Sequence, residues 1–164
     1  MPNTKPSIDD RTNGEALDRK AHGAKVTLKV IGAATKGIDT DQLTEMGDMK
    51  EAGIVAISND GKAVKNAYIT RRVLEYARQF GLILIEHCED DSLAAGGFMH
   101  EGYYSTILGL KGIPRESEDI IVARDIILSR MTDASVHIAH ISSKNSVELV
   151  RQAKREGLRV TAEV

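Results

Sequence analysis

Short β-branched runs alternate with helix-length amphipathic stretches along nearly the whole of this chain, and that alternation leaves few folds open. Residues 26–31, flanked by His22-Gly23 and Gly32, read as a strand. Residues 41–52 read as a helix, with Leu43, Met46 and Met49 at helical spacing. A strand over 54–57 runs into the turn cluster Ser58-Asn59-Asp60-Gly61. A helix over 67–80 places Ile69, Val73, Leu74 and Ala77 on one face, and an almost wholly apolar strand follows at 82–85. Then come a helix over 120–131, a strand over 136–141, a helix over 143–156 (capped by Ser142 or Ser143 and ended by Gly157) and a strand over 158–162. The start of the chain reads as a loop and a helix over 11–21, capped by Asp9 or Asp10, with no strand before it.

Strands separated by helices of this length imply parallel βαβ units. Two architectures satisfy that pattern: an open doubly wound sheet, or part of a (β/α)8 barrel. A complete barrel takes about 250 residues, so 164 residues imply an incomplete one, in a single domain covering the whole chain. Residues 91–118 interrupt the rhythm as a long, glycine-rich interval with the character of a functional loop. An incomplete barrel leaves edges and inner faces uncovered, so self-association into a homo-oligomer is expected.

Charge and cysteine content narrow the setting. The net charge is −2 and no basic block exists to neutralise a phosphate backbone, which argues against a nucleic-acid partner. No stretch approaches the roughly 20 apolar residues of a membrane span. Met1-Pro2-Asn3-Thr4-Lys5-Pro6 has no apolar run behind it, so no signal peptide is expected. Cys88 is the one cysteine, which is compatible with a reducing compartment. The expected location is the cytoplasm.

Catalytic groups of parallel α/β folds gather at the C-terminal ends of strands. Three such ends carry metal-ligand side chains: Asp60, His87 and His140. Two imidazoles and a carboxylate form a donor set that zinc accepts. Strand alternation puts Ile83, Ile85 and His87 on one face and Glu86 on the other. The same rule puts Val136, Ile138 and His140 together. If these apolar residues line the barrel interior, His137 faces the helix layer. His22 and His100 read as solvated residues, Cys88 as a small buried one, and Ser142 or Glu89 as groups that orient the imidazoles.

In order and spacing, the motifs resemble type I dihydroorotases of the amidohydrolase superfamily. The resemblance rests on Met1-Pro2-Asn3-Thr4 with Pro6 and Asp9, on the I-G-A-A-T-K-G run at 31–37 and on L-T-E-M-G at 43–47. It continues in Asn59-Asp60-Gly61, where the family has D-D-G, in E-H-C-E-D at 86–90 and in L-G-L-K-G-I-P at 108–114. H-I-A-H-I-S at 137–142 and R-V-T-A-E-V at 159–164 complete it. What the resemblance implies is an amidohydrolase-type barrel with a binuclear zinc site, represented here from about strand two to strand seven. It implies reversible closure of N-carbamoyl-L-aspartate to dihydroorotate in pyrimidine synthesis. Asp60 would bridge two metals, His87 and His140 would hold the second, and Asn3 would bind the substrate carboxylate.

The family's H-x-H-x-R strand end is expected upstream of residue 1. A P-H-H segment and the strand bearing the general-base aspartate are expected beyond residue 164. The implied chemistry is metal-assisted hydrolysis, in which cations polarise the ring carbonyl and lower the pKa of water towards about 7, while the aspartate moves the proton. As it stands the chain is expected to be inactive. Two alternatives stay open: a non-catalytic subunit that scaffolds aspartate carbamoyltransferase, and another cyclic amidase such as an allantoinase or hydantoinase.

Overall fold

A computed structural model describes residues 1–164. Its main sheet has five parallel strands: β1 (Ile31–Ala33), β2 (Ala56–Ser58), β3 (Ile83–Glu86), β6 (Val136–Ile138) and β7 (Val160–Ala162), side by side in chain order. A doubly wound sheet would reverse its strand order and carry helices on both faces. Here the order never reverses. The helices α2 (Met46–Glu51), α3 (Ala67–Gln79), α6 (Glu116–Thr132) and α7 (Lys144–Arg155) cover one face. The sheet is therefore part of a (β/α)8 barrel, with β1 and β7 at its edges. No helix is long and apolar enough to cross a membrane.

The register fixes which side chains face which layer. Gly32, Ile57, Leu84 and Val136 lie in one row across the strands, and Glu86 and Ile138 pair one step further along. This set faces the helices. A Cβ on Gly32 would press on Met49 of α2, and Ile57, Leu84, Val136 and Ile138 are completely buried. Ile31, Ile83, Ile85 and His137 occupy the opposite, inner face and are only half-buried. The core thus lies between sheet and helices, centred on Met46, Met49, Ile57, Leu74, Leu84 and Val122.

Several elements differ from the sequence reading. The first main-sheet strand begins at Ile31 rather than Val26, and Val26 and Leu28 are exposed. β1 has one neighbour, and a β-branched run forms strand only where a partner strand receives it. Residues 41–45 are not helical. Leu43 bridges Thr35, and the Thr44 hydroxyl donates to the Ala33 carbonyl, tying this stretch to the end of β1 instead. α6 starts four residues early, and β6 stops at Ile138.

The interval 91–118 is not a structureless loop. It contains α4 (Asp91–Ala94), α5 (Tyr103–Leu108) and a two-stranded parallel sheet of β4 (Met99–His100) and β5 (Gly112–Ile113). Its glycines explain why it packs so closely, since a Cβ on Gly112 would lie 2.5 Å from Cα of Glu101. α1 (Arg11–Ala21) is capped by Asp10, whose side chain accepts the Asn13 N–H. Asp9 is used differently and accepts the Gly37 N–H, joining the N-terminal segment to the loop after β1.

Candidate metal centre

Three strand ends converge. Asp60 lies just past β2, held by its own N–H, which donates to Ser58 Oγ at 3.0 Å. Gly61 comes next at φ +87°, a left-handed turn conformation that glycine adopts freely. Asn59 is buried and turned away from the site. Its Oδ1 accepts the N–H groups of Ala34 and Thr35, and its Nδ2 donates to Thr35 Oγ1, so it fastens the end of β2 to the end of β1. Asn3 reaches in from the N-terminal segment and donates to Asp60 Oδ2 at 3.2 Å.

His87 leaves β3 on the inner face, opposite Glu86, as alternation requires. His140 arrives by another route. The inner-face residue of β6 is His137, which pairs with Ile85 and Thr161, and its Nδ1 lies 2.8 Å from Thr161 Oγ1. The expectation that Val136 and Ile138 line the interior and that His137 faces the helices is therefore overturned. Val136 and Ile138 point to the helix layer because that is where the larger apolar contact is. His140 reaches the site because β6 has already ended and its backbone turns left-handed, at φ +40°. Such a conformation in a non-glycine residue is uncommon and is held only by its surroundings.

The result is a compact donor set. His87 Nδ1 and His140 Nε2 are 2.9 Å apart, the rings meet edge to face, and ligand atoms of Asp60, His87 and His140 all lie within 4.8 Å of one another. Burial, and next the neighbouring His140, push His87 below the ordinary imidazole range. That favours the neutral form, the one that can donate a lone pair to a metal. Two nitrogens and one carboxylate oxygen fit zinc, whose tetrahedral ligands at about 2.0–2.1 Å would sit about 3.3 Å apart.

A cavity of about 390 Å³ adjoins the two histidines and is walled by Glu89, His100, Arg115, Glu118 and Lys144. His100, read from sequence as merely solvated, thus borders the site. Its position depends on the β4–β5 pairing, which no local signal marked. His22, by contrast, sits at the far end of α1 with Nδ1 2.9 Å from the Asp18 carbonyl oxygen. Ser142 does not bond an imidazole; its N–H and hydroxyl donate to Glu118. Glu89 makes no side-chain hydrogen bond to His87; only its backbone N–H reaches the His87 carbonyl.

Behind the site lies a buried ionic cluster that sequence reading did not find. Arg124 of α6 donates to Asp125 Oδ1 (2.8 Å), to Glu86 Oε1 (3.1 Å) and to the Val64 carbonyl (2.8 Å). Glu86 Oε1 also accepts the Val64 N–H at 2.6 Å, while Glu86 Oε2 has no partner. Burial and then Asp125 push the Glu86 carboxyl up to about 8, and burial raises Asp125 to about 6. Cys88 is buried against this cluster, with Sγ 3.9 Å from Asp125 Oδ2.

Residues 1–146 match the family described as dihydro-orotase-like. The dihydroorotase of Pelotomaculum thermopropionicum is 55% identical over 167 residues, covering 100% of this chain and 38% of the relative. That of Acetivibrio thermocellus is 50% identical over 164 residues, covering 99% of this chain and 38% of the relative. The chain therefore spans about 38% of the length of the curated relatives it matches. In fold it is similar to the L-hydantoinase (dihydropyrimidinase) of Arthrobacter aurescens, with a TM-score of 0.76 at 19% identity over 99% of this chain and 38% of that one. It is also similar to the dihydropyrimidinase of Brevibacillus agri, at 0.69 and 18% over 99% of this chain and 37% of that one. With a family model matching residues 1–146 and relatives about half identical over the whole length, the chain belongs to the dihydroorotase-like family.

Proposed function

We propose that this chain supplies part of the active site of a zinc-dependent dihydroorotase, which interconverts N-carbamoyl-L-aspartate and dihydroorotate in pyrimidine synthesis. The observation that carries the reading is the convergence of Asp60, His87 and His140 at three successive strand ends, in a chain 55% identical to a dihydroorotase. When bound, the metal would polarise the ring carbonyl and activate water for its attack. Asp60, His87 and His140 hold it. Burial favours the neutral form of His87, the form that offers a nitrogen lone pair to a metal. Asn3, which donates to Asp60, would offer its second amide N–H to a substrate carboxylate.

Zinc titration by calorimetry tests this. The chain is expected to bind zinc, and the variant carrying Asp60→Ala, His87→Ala and His140→Ala together to lose that binding. Equal affinity in the two would overturn the ligand assignment. Joining the chain in frame to the flanking segments of a dihydroorotase relative should restore ring closure. A metal-loaded fusion without activity would favour a non-catalytic subunit that scaffolds aspartate carbamoyltransferase.

A further inference from the structure

We infer that α6 is the element that places all three candidate ligands, with Glu118 the positioning residue for His140; the inference rests on the metal reading above.

β6 ends two residues before His140; the Ala139 N–H still donates to the Glu86 carbonyl and the Ile141 N–H to the Glu163 carbonyl, and beyond Ile141 the sheet gives no further hold. The two serines that follow are held by α6. Glu118 accepts the Ser142 N–H (3.0 Å), the Ser142 hydroxyl (2.5 Å) and the Ser143 N–H (3.0 Å). Asp119, one residue along, accepts the hydroxyls of Ser143 (2.6 Å) and Ser146 (2.7 Å). Hydrogen bonds to a carboxylate are the strong kind, and three on one residue fix the chain immediately after His140. The imidazole, although exposed, is thereby directed at His87.

Six residues further along the same helix, about 9 Å at 1.5 Å per residue, Arg124 repeats the arrangement for the other two ligands. Its guanidinium bonds Glu86, which precedes His87, and the Val64 carbonyl, in the loop after Asp60. Glu86 closes the triangle by accepting the Val64 N–H. One rigid helix therefore sets the spacing between loops that begin far apart in sequence.

The test compares Glu118→Ala with Glu118→Gln, and with Glu116→Ala, whose carboxylate pairs with Arg115 and not with the His140 loop. Two signals are read: the imidazole ¹⁵N–¹H correlations of His87 and His140 in the metal-free chain, and the visible spectrum and affinity on cobalt(II) titration. Glu118→Ala should change the imidazole pattern and weaken cobalt binding about tenfold, the low end for groups that orient ligating histidines. Glu118→Gln keeps an acceptor oxygen and should restore most of both signals; Glu116→Ala should change neither. A Glu118→Ala chain with the wild-type imidazole pattern and cobalt spectrum overturns the inference. Wild-type protein that takes up no cobalt overturns the metal reading instead, and the imidazole pattern still decides whether Glu118 places His140. If Glu118→Ala does not fold, Ser142→Ala removes one of the three donors. A shifted imidazole pattern there supports the inference, and an unshifted one overturns it.

Discussion

Glu86 sits one residue from a candidate ligand, yet its carboxyl faces an arginine and a second buried carboxyl with one oxygen unpartnered. Burial raises both Glu86 and Asp125. A carboxyl whose folded pKa lies above its unfolded value holds its proton more tightly in the native state. Its stabilising contribution is full below the unfolded value, about 4, and is lost as the pH climbs through the folded value. The melting temperature should therefore fall between about pH 5 and pH 8, and Glu86→Gln should flatten that fall. A wild-type melting temperature level across the range would contradict it. Asn59 gives a second case. Asn59→Ala removes the acceptor of the buried Thr35 N–H, so a loss of about 1–3 kcal/mol is expected in urea denaturation. That Asp60, His87 and His140 would gather at strand ends was legible in the sequence, because ligand-type side chains at strand ends are a local pattern. The reason His140 points inward was not. Alternation assumed a strand three residues too long, and the chain beyond His140 bonds to Glu118 of the preceding helix, a contact that no local pattern marks.

Among the elements, α1 was read to the residue from its cap, and α3 and α7, each with one apolar stripe, to within one residue at either end. Their buried residues repeat at three and four, as in Ile69, Val73, Leu74 and Ala77. Leu74→Ala in that stripe should cost about 2–5 kcal/mol, measured by chemical denaturation, because the side chain is fully buried. The elements of the insertion were illegible. β4 and β5 are two residues each, and they pair through backbone contacts that small residues permit rather than through any hydrophobic period. Gly112→Ala would drive a methyl group into the Glu101 backbone. Amide exchange at Phe98 and Glu101, whose N–H groups bond Lys111 and Ile113, should then accelerate while the main sheet keeps its protection. Uniform loss of protection would mean that the insertion and the sheet unfold together.

As a whole, the molecule presents β1 and β7 as sheet edges and a half-open inner face bearing Ile31, Ile83 and Ile85. Exposed strand edges and apolar surface of this kind favour association. Sedimentation velocity on the isolated chain is expected to show species larger than the monomer that grow with concentration. A single monomeric boundary at every concentration would count against this. Parallel βαβ units were legible from the alternation of elements, whereas the choice between barrel and doubly wound sheet was settled by strand order. The insertion adds a further consequence. Its excursion leaves the barrel at Asp90 and rejoins it at Ser117, and the Asp90 N–H donates to the Ser117 carbonyl at 2.9 Å. The two ends are already stitched together, so the barrel would register a replacement of any length as the same short bridge. Sequences exchanged between those residues would recontour one wall of the cavity while the corner formed by Asp60, His87 and His140 stayed put.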